Sequence, residues 1–429
     1  MDKTLDFTIP TLGEPTIPSP LNLSTESGDG IADFTLEGEH ILYDPMGGSP
    51  EIFFEHAGPR QMNFFRGVEV VAGIVTCGGL CPGMNNVIRG LVMRLFYAFG
   101  VRRIWGFPYG YRGLAPNSPD PPVALTSDLV KDIHLIGGTI LGSSRGPQDE
   151  RGMVDTLEQM GVNALFVIGG DGTMRGLNKI YQEVTRRGAR ISVIGVPKTI
   201  DNDLLYIERT FGFDTAVAIA SEAIKAAHVE ATGAPNGLGL VNLMGRHSGF
   251  IAASATLASR EVNLVLVPEQ PFSITGEKGI LTFLRQRLRS RGHAVVVVAE
   301  GAGQPLLPRS EERDASGNTK LAEIGVYLRR QLHEGLQSEG VSIKYIDPSY
   351  IIRAAPANAG DSIFCGRLSE EAVHAAMAGK TGMAVGLWLN HFTHVPLEVI
   401  TTGRKLISLD GAFWRNVIDT TGQPSVLSP

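Results

Sequence analysis

The most restrictive feature of this 429-residue chain is a series of short runs that are apolar from end to end: VEVVAGIVT, RIWGF, ALFVIGG, ISVIGVP, LGLVNLMG, VNLVLVPE, HAVVVVAE and MAVGLWLN. A strand with one wet face alternates polar and apolar residues. Runs without that alternation belong to parallel sheets covered by helices on both faces. The stretches between them are long enough for crossover helices. In residues 320–336, Ile324, Leu328, Leu332 and Leu336 recur every four residues while Arg329, Arg330 and Glu334 fall off that line, which predicts a helix with one buried stripe. Residues 214–227 open on an acid and continue through alanine and isoleucine, the pattern of a helix packed closely on a sheet. The chain exceeds what one hydrophobic core usually serves, so two lobes or domains are expected.

The first 66 residues differ. Prolines at 10, 15, 18, 20, 45, 50 and 59 and the lack of a sustained apolar period predict an extended arm or small annex without chemistry of its own. Residues 309–319, polar and acidic, read as a surface loop. A net charge of −6 with 19% charged residues gives no electrostatic reason to expect nucleic-acid binding. No apolar run approaches the roughly 18 residues that would span a bilayer. Three cysteines, Cys77, Cys81 and Cys365, make neither a disulfide framework nor a zinc site, and a reducing, cytoplasmic setting is expected. The opening MDKTLDF fits neither a secretory signal nor a transit peptide.

Four glycine-rich segments follow the apolar runs. GGLCPGMNN (78–86) precedes a helix, so its amides either face an anion or simply make a packing turn; Met84 and Asn85 stand where a Walker A loop requires Lys and Ser or Thr. GGTILGSSRG (137–146) offers Arg145, which is either a surface side chain or a fork for phosphate oxygens. In VIGGDGTMRG (167–176) Asp171 lies between glycines, where it either holds Mg2+ beside phosphate-facing amides or caps the next helix. PKTIDND (197–203) concentrates Lys198, Thr199, Asp201 and Asp203 at the end of a strand. Asp201 or Asp203 suits a general base, and Lys198 and Thr199 suit charge on a transferring phosphoryl group, although an Asx turn would account for Asp201 and Asn202 alone.

In this order and spacing, GGLCPGMN, GSSRGP, GGDGT, PKTIDND, MGRHSGFIA, PE and AEGAG resemble the phosphofructokinase family over roughly residues 68–400. The resemblance implies two doubly wound, mainly parallel-sheet lobes with the active site in the cleft between them, and a homo-oligomer, dimer or tetramer. It divides the chain into an N-terminal extension (1–66), a nucleotide- and phosphate-binding lobe (67–212), a sugar-phosphate lobe (213–362) and a C-terminal segment returning to the lobes (363–429). It implies ATP and fructose 6-phosphate as substrates and Mg2+ as cofactor. Asp201 would be the base, Asp203 an aid to the metal or the reacting geometry, and Asp171 the metal residue. Gly79, Arg145, Lys198 and Thr199 would line the path of the phosphoryl group, and Gly170, Gly172, Thr173 and Gly176 would bind the donor. Met244, Gly245, Arg246, Glu300, Tyr350 and Arg353 would hold the sugar phosphate.

Two departures and one mixed signal accompany the resemblance. Arginines that bind sugar phosphate in bacterial ATP-dependent members stand here as Gly237 and Ser362. Gly172 leaves open the space that an aspartate fills in pyrophosphate-using members, whereas Lys198 is similar to those members. A charged block excludes ATP more decisively than one lysine demands pyrophosphate, and ATP-dependent enzymes of the plant and trypanosomatid type combine this glycine with this lysine, so ATP is the expected donor. A pyrophosphate-dependent enzyme and a noncatalytic sugar-phosphate-sensing subunit are the competing readings; a sensor would not need to keep Asp171, Thr199, Asp201 and Asp203 together.

Overall fold

The expected apolar runs form strands because both of their faces are buried. In the computed structural model, which describes residues 5–26, 28–46, 52–308, 311–313 and 319–427, the strands Val71–Thr76, Ala164–Gly169 and Ser192–Pro197 are buried at every position. Alternate side chains serve opposite layers. Ile74, Phe166, Ile168, Ile194 and Val196 enter one core with the helices Met84–Met93 and Ala359–Met377. Val75, Leu165, Val167 and Val193 enter another with Glu150–Gln159 and Asp171–Arg187. Neither face is left for a polar residue, which is why the runs do not alternate.

The chain divides into two units: Met1–Ile200, Leu204–Gly212 and Ala354–Arg404 make the first, and Asp201–Asp203, Phe213–Arg353 and Lys405–Pro429 the second. The first contains a nine-stranded sheet whose central strands run Met383–Trp388, Ser192–Pro197, Ala164–Gly169, Val71–Thr76, Arg103–Phe107, all parallel. From Val71–Thr76 the chain goes first to Arg103–Phe107 on one side and then to Ala164–Gly169 on the other. That reversal opens a crevice at the C-terminal ends of the strands, where α/β sheets bind ligands.

The described residues of the N-terminal arm join the first unit. Phe53–His56 pairs with His391–Pro396, and His40–Leu42 pairs with Phe53–His56, so the arm extends the sheet of the first unit by two antiparallel strands. Phe54 is fully buried there and meets Trp388 and Tyr206. Glu55 fixes the join: burial pushes its carboxyl up, but His394 Nδ1 at 2.9 Å and Lys380 at 3.1 Å more than offset this and hold it below its ordinary value. Strands this short and alternating are hard to see among prolines. The hairpin Met383–Trp388 to His391–Pro396 is equally inconspicuous, because its turn places Leu389 and Asn390 at positive φ (47° and 64°) instead of using Asn-Gly.

The second unit has a four-stranded parallel sheet in the order Leu264–Leu266, His293–Ala299, Gly237–Leu243, Ser342–Ile346. The helix expected over 320–336 spans Ile324–Gly335, and its four-residue stripe is buried against Leu238, Leu240, Val296 and Val298. The helix expected over 214–227 extends to Phe213–Thr232 and packs on Gly237–Leu243, where Gly239 leaves room for Ala227. The loop expected over 309–319 lies largely outside the described residues. Among the described residues no helix is long and apolar enough to cross a membrane.

Candidate active site

The glycine loops of the first unit sit at the crevice end of adjacent parallel strands and are bonded to one another through the main chain. Cys77 N–H donates to Ile168 O at 2.9 Å, Lys198 N–H to Gly169 O at 2.9 Å and Gly78 N–H to Ser144 O at 3.0 Å. Ser143 Oγ closes the set by donating to Gly78 O at 2.6 Å. Two cations converge on this frame. Lys198, only 5% exposed, donates from Nζ to Gly79 O at 2.7 Å, and a Cβ on Gly79 would come within 3.2 Å of the Arg145 guanidinium. Gly78 takes a positive φ of 86°, and a Cβ there would lie 3.2 Å from Lys198 Nζ. Side chains at 78 and 79 would thus crowd the cations an anion would meet. The neighbouring Cys77 is no nucleophile, since burial pushes its thiol up to about 12.

Asp171 is the first residue of the helix Asp171–Arg187, whose N-terminus favours negative charge. Its carboxylate accepts from Arg175, one turn along, and from Arg404 Nη2 at 2.7 Å. A Cβ on Gly172 would meet nothing within 4 Å, whereas Gly176 packs against the Tyr111 ring and Thr173 O accepts from the Tyr111 hydroxyl at 2.7 Å. A Cβ on Gly170 would stand 3.1 Å from Lys198 O, keeping the two loops close. Among the described residues no group of three His, Cys, Asp or Glu could hold a metal. The Asp171 carboxylate, paired with two arginines, is the one protein carboxylate that Mg2+ carried on substrate phosphates would need, because Mg2+ uses one or two protein carboxylates and takes its other ligands from phosphate and water.

In the second unit the site residues lie where the strands Gly237–Leu243 and His293–Ala299 end side by side. Gly245, at φ 132°, permits the turn into Arg246; a Cβ there would lie 2.6 Å from Ser248 O. The amide of Arg246 donates to Asp201 Oδ2 at 3.3 Å and Ser248 Oγ to Asp201 O at 3.3 Å, so the MGRHS turn holds the Asp201 carboxylate in one orientation. Met244 is buried. The Arg246 guanidinium donates to Thr319 O. Burial pushes the Glu300 carboxyl above its ordinary value, the charges of Arg246 and Arg353 oppose that shift, and Asp347 reinforces it. These four side chains therefore form one electrostatic group. Arg353 lies 4.3 Å over the ring of Tyr350, which is 77% exposed. Asp203 is buried, and its carbonyl accepts from Lys405 N–H at 2.9 Å. Asn202 takes a positive φ of 53° between the two acids. Thr199, in the first unit, accepts at its carbonyl from Thr210 Oγ1 at 2.6 Å.

Neither departure position carries a substitute cation. Gly237 opens its strand, and a Cβ there would approach Ala231 O to 2.0 Å, so no side chain fits; Ser362 Oγ accepts from Asn86 Nδ2 at 3.1 Å. Two residues outside the expected set emerge. Glu269, in the PE pair, accepts from Gly249 N–H at 3.1 and 3.0 Å and from Ile407 N–H at 3.0 Å, tying the MGRHSGF turn to the C-terminal segment. Arg404 reaches Asp171 across 233 residues of sequence. Only the PE pair carries a sequence signal, an acid just after an apolar run; Arg404 has none.

The family model for phosphofructokinase matches residues 71–376. The chain is 44% identical to the ATP-dependent 6-phosphofructokinase of Borreliella burgdorferi, over 99% of this chain and 98% of that protein. It is 48% identical to ATP-dependent 6-phosphofructokinase 7 of Arabidopsis thaliana, over 88% of this chain and 78% of that protein. The crystal structure of a pyrophosphate-dependent phosphofructokinase from Marinobacter aquaeolei shares the fold, with a TM-score of 0.69 at 22% identity over 84% of this chain and 93% of that one. With its glycine loops on parallel strands, its buried lysine and its amide-held aspartate, the chain belongs to the phosphofructokinase family.

Proposed function

We propose that the protein is an ATP-dependent 6-phosphofructokinase, transferring the γ-phosphoryl group of ATP to the 1-hydroxyl of fructose 6-phosphate to give fructose 1,6-bisphosphate and ADP. The observation that carries this reading is the buried Lys198 ammonium, held on Gly79 O beside the Arg145 guanidinium over a glycine loop. Phosphoryl transfer requires in-line positioning and charge neutralisation more than covalent help from the protein, and two cations over a frame of main-chain bonds supply both. The donor phosphates lie along Gly79, Gly170, Gly172, Thr173 and Gly176. The Asp171 carboxylate would hold Mg2+ carried on those phosphates, and the ion would supply charge neutralisation there.

Asp201 accepts the proton of the 1-hydroxyl as that oxygen attacks the γ-phosphorus, and ADP leaves with the electron pair of the broken bond. The Arg246 amide at 3.3 Å keeps the carboxylate pointed for this task. Thr199 and Lys198 offset charge on the moving phosphoryl group, and Asp203 supports the geometry. Glu300 accepts from sugar hydroxyls, Arg353 with Tyr350 holds the 6-phosphate, and Met244, Gly245 and Arg246 shape the sugar pocket. ATP is preferred because the space beside Gly172 is open, as an α-phosphate requires. The protein works in the cytoplasm as a homo-oligomer, a dimer or tetramer.

The test supplies fructose 6-phosphate and Mg2+ with ATP or pyrophosphate in parallel and measures bisphosphate formation. Activity with ATP alone is expected. Activity with pyrophosphate alone would reverse the donor while keeping the base, and activity with neither would return the reading to a sugar-phosphate sensor.

A further inference from the structure

Arg404 lies beyond the residues that the family model matches and in none of the motifs, yet its surroundings are those of the donor loops. Its backbone forms an antiparallel bridge with Leu204, directly after PKTIDND. The next residue, Lys405, donates its N–H to Asp203 O at 2.9 Å. The base of the side chain is therefore fixed to the end of the catalytic loop. Its guanidinium reaches Asp171, 28% exposed where the carboxylate is 9% exposed. Arg175 is on the same oxygen, but as an i,i+4 partner it is supplied by the helix itself. Arg404 comes from a distant segment and is held there by tertiary structure.

Asp171 and these two arginines sum to one positive charge at a helix N-terminus that is already favourable to anions. One arginine would neutralise the carboxylate; the second leaves an excess. A polyphosphate supplies the matching charge, and a guanidinium fork pairs with phosphate oxygens through two parallel N–H donors. Resting on the ATP-dependent reading above, we infer that Arg404 is a donor-phosphate ligand: it holds the Asp171 carboxylate and pairs with the ATP phosphates when the nucleotide is bound.

The experiment is a calorimetric titration of the full-length protein with MgATP in the absence of sugar phosphate, so that binding is read without turnover. Arg404→Gln is expected to raise the Kd about tenfold or more, the loss of a charge-assisted hydrogen bond, and to do so equally in an Asp171→Asn background. A change within twofold would overturn the inference. So would a loss that vanishes in the Asp171→Asn background, because Arg404 would then act only through that carboxylate. Thermal melting checks that each variant folds. Should Arg404→Gln not fold, Arg404→Lys keeps the charge without the fork; a severalfold weaker Kd supports the inference and an unchanged one overturns it. If the wild-type protein binds no MgATP, the ATP-dependent reading itself fails, which is a different result from a wild type that binds and a variant that binds as well.

Discussion

The loops of the first unit proposed to bind the donor and those of the second proposed to bind the sugar stand at the same kind of place, the C-terminal ends of parallel strands, but they are made of different material. The donor loops are mainly backbone: Cys77, Gly78 and Lys198 exchange main-chain hydrogen bonds with Ile168, Ser144 and Gly169, and two cations are laid over that frame. The loops proposed for the sugar depend on side chains: burial raises the carboxyl of Glu300, Arg246 and Arg353 oppose that shift, and Asp347 reinforces it. Phosphates are recognised by amides and fixed positive charge whatever they are attached to. A sugar needs acceptors and donors matched to particular hydroxyls, which only side chains of differing length provide. The difference predicts that donor-side mutations act on phosphate charge, and sugar-side mutations on substrate identity.

The sharpest test of that division is Asp201, which the MGRHS turn orients but which is proposed to act on the reaction itself. Asp201→Ala is expected to lower kcat by about a hundred- to ten-thousand-fold with much smaller changes in either KM, read by steady-state kinetics. Near-normal turnover would remove Asp201 from the base role. Lys198→Met, on the donor side, is expected to lower kcat about a hundredfold while the KM for fructose 6-phosphate changes little. A main effect on the sugar KM would break the comparison. Gly172→Asp places a carboxylate in open space, so folding should be kept, while kcat/KM for ATP falls roughly tenfold or more through like-charge repulsion. An unchanged kcat/KM for ATP would show that the space beside Gly172 is not where the α-phosphate lies.

Glu300→Gln carries the smallest expected effect and separates binding from stability. The KM for fructose 6-phosphate should rise about tenfold, the loss of hydrogen bonds to a charged acceptor. Stability should move the other way. Because burial raises the folded-state pKa of Glu300, its contribution to stability is present below the ordinary carboxyl pKa and is lost as pH rises through the raised value. The glutamine variant should therefore melt above wild type at neutral pH, with the gap closing as the pH falls below the ordinary carboxyl range. A gap that widens in acid would show that the arginines, not burial, dominate.

The difference in material also explains what could be read in advance. A loop that works through its backbone must use glycine, so GGLCPG and GGDGT stand out in the sequence, and the density of PKTIDND marks the segment proposed to react. The sugar side was legible only through resemblance, since Glu300, Tyr350 and Arg353 are common residue types in ordinary positions. The strands of the N-terminal arm left little sequence signal for a related reason. Phe54 and Glu55 belong to a four-residue strand that is stable only because His391–Pro396 and Lys380 are there to receive it.

By itself, then, the sequence determined the parallel α/β class, because burial on both faces demands unbroken apolar runs, and it marked the glycine-rich loops proposed to meet phosphate, because close approach to an anion demands glycine. Tertiary structure alone decided that the chain returns to the first unit at Ala354 and to the second at Lys405, and that the early residues complete a sheet. It also decided that Arg404 meets Asp171. A contact spanning 233 residues leaves no local periodicity or spacing; it exists only once strand order has brought the two segments together.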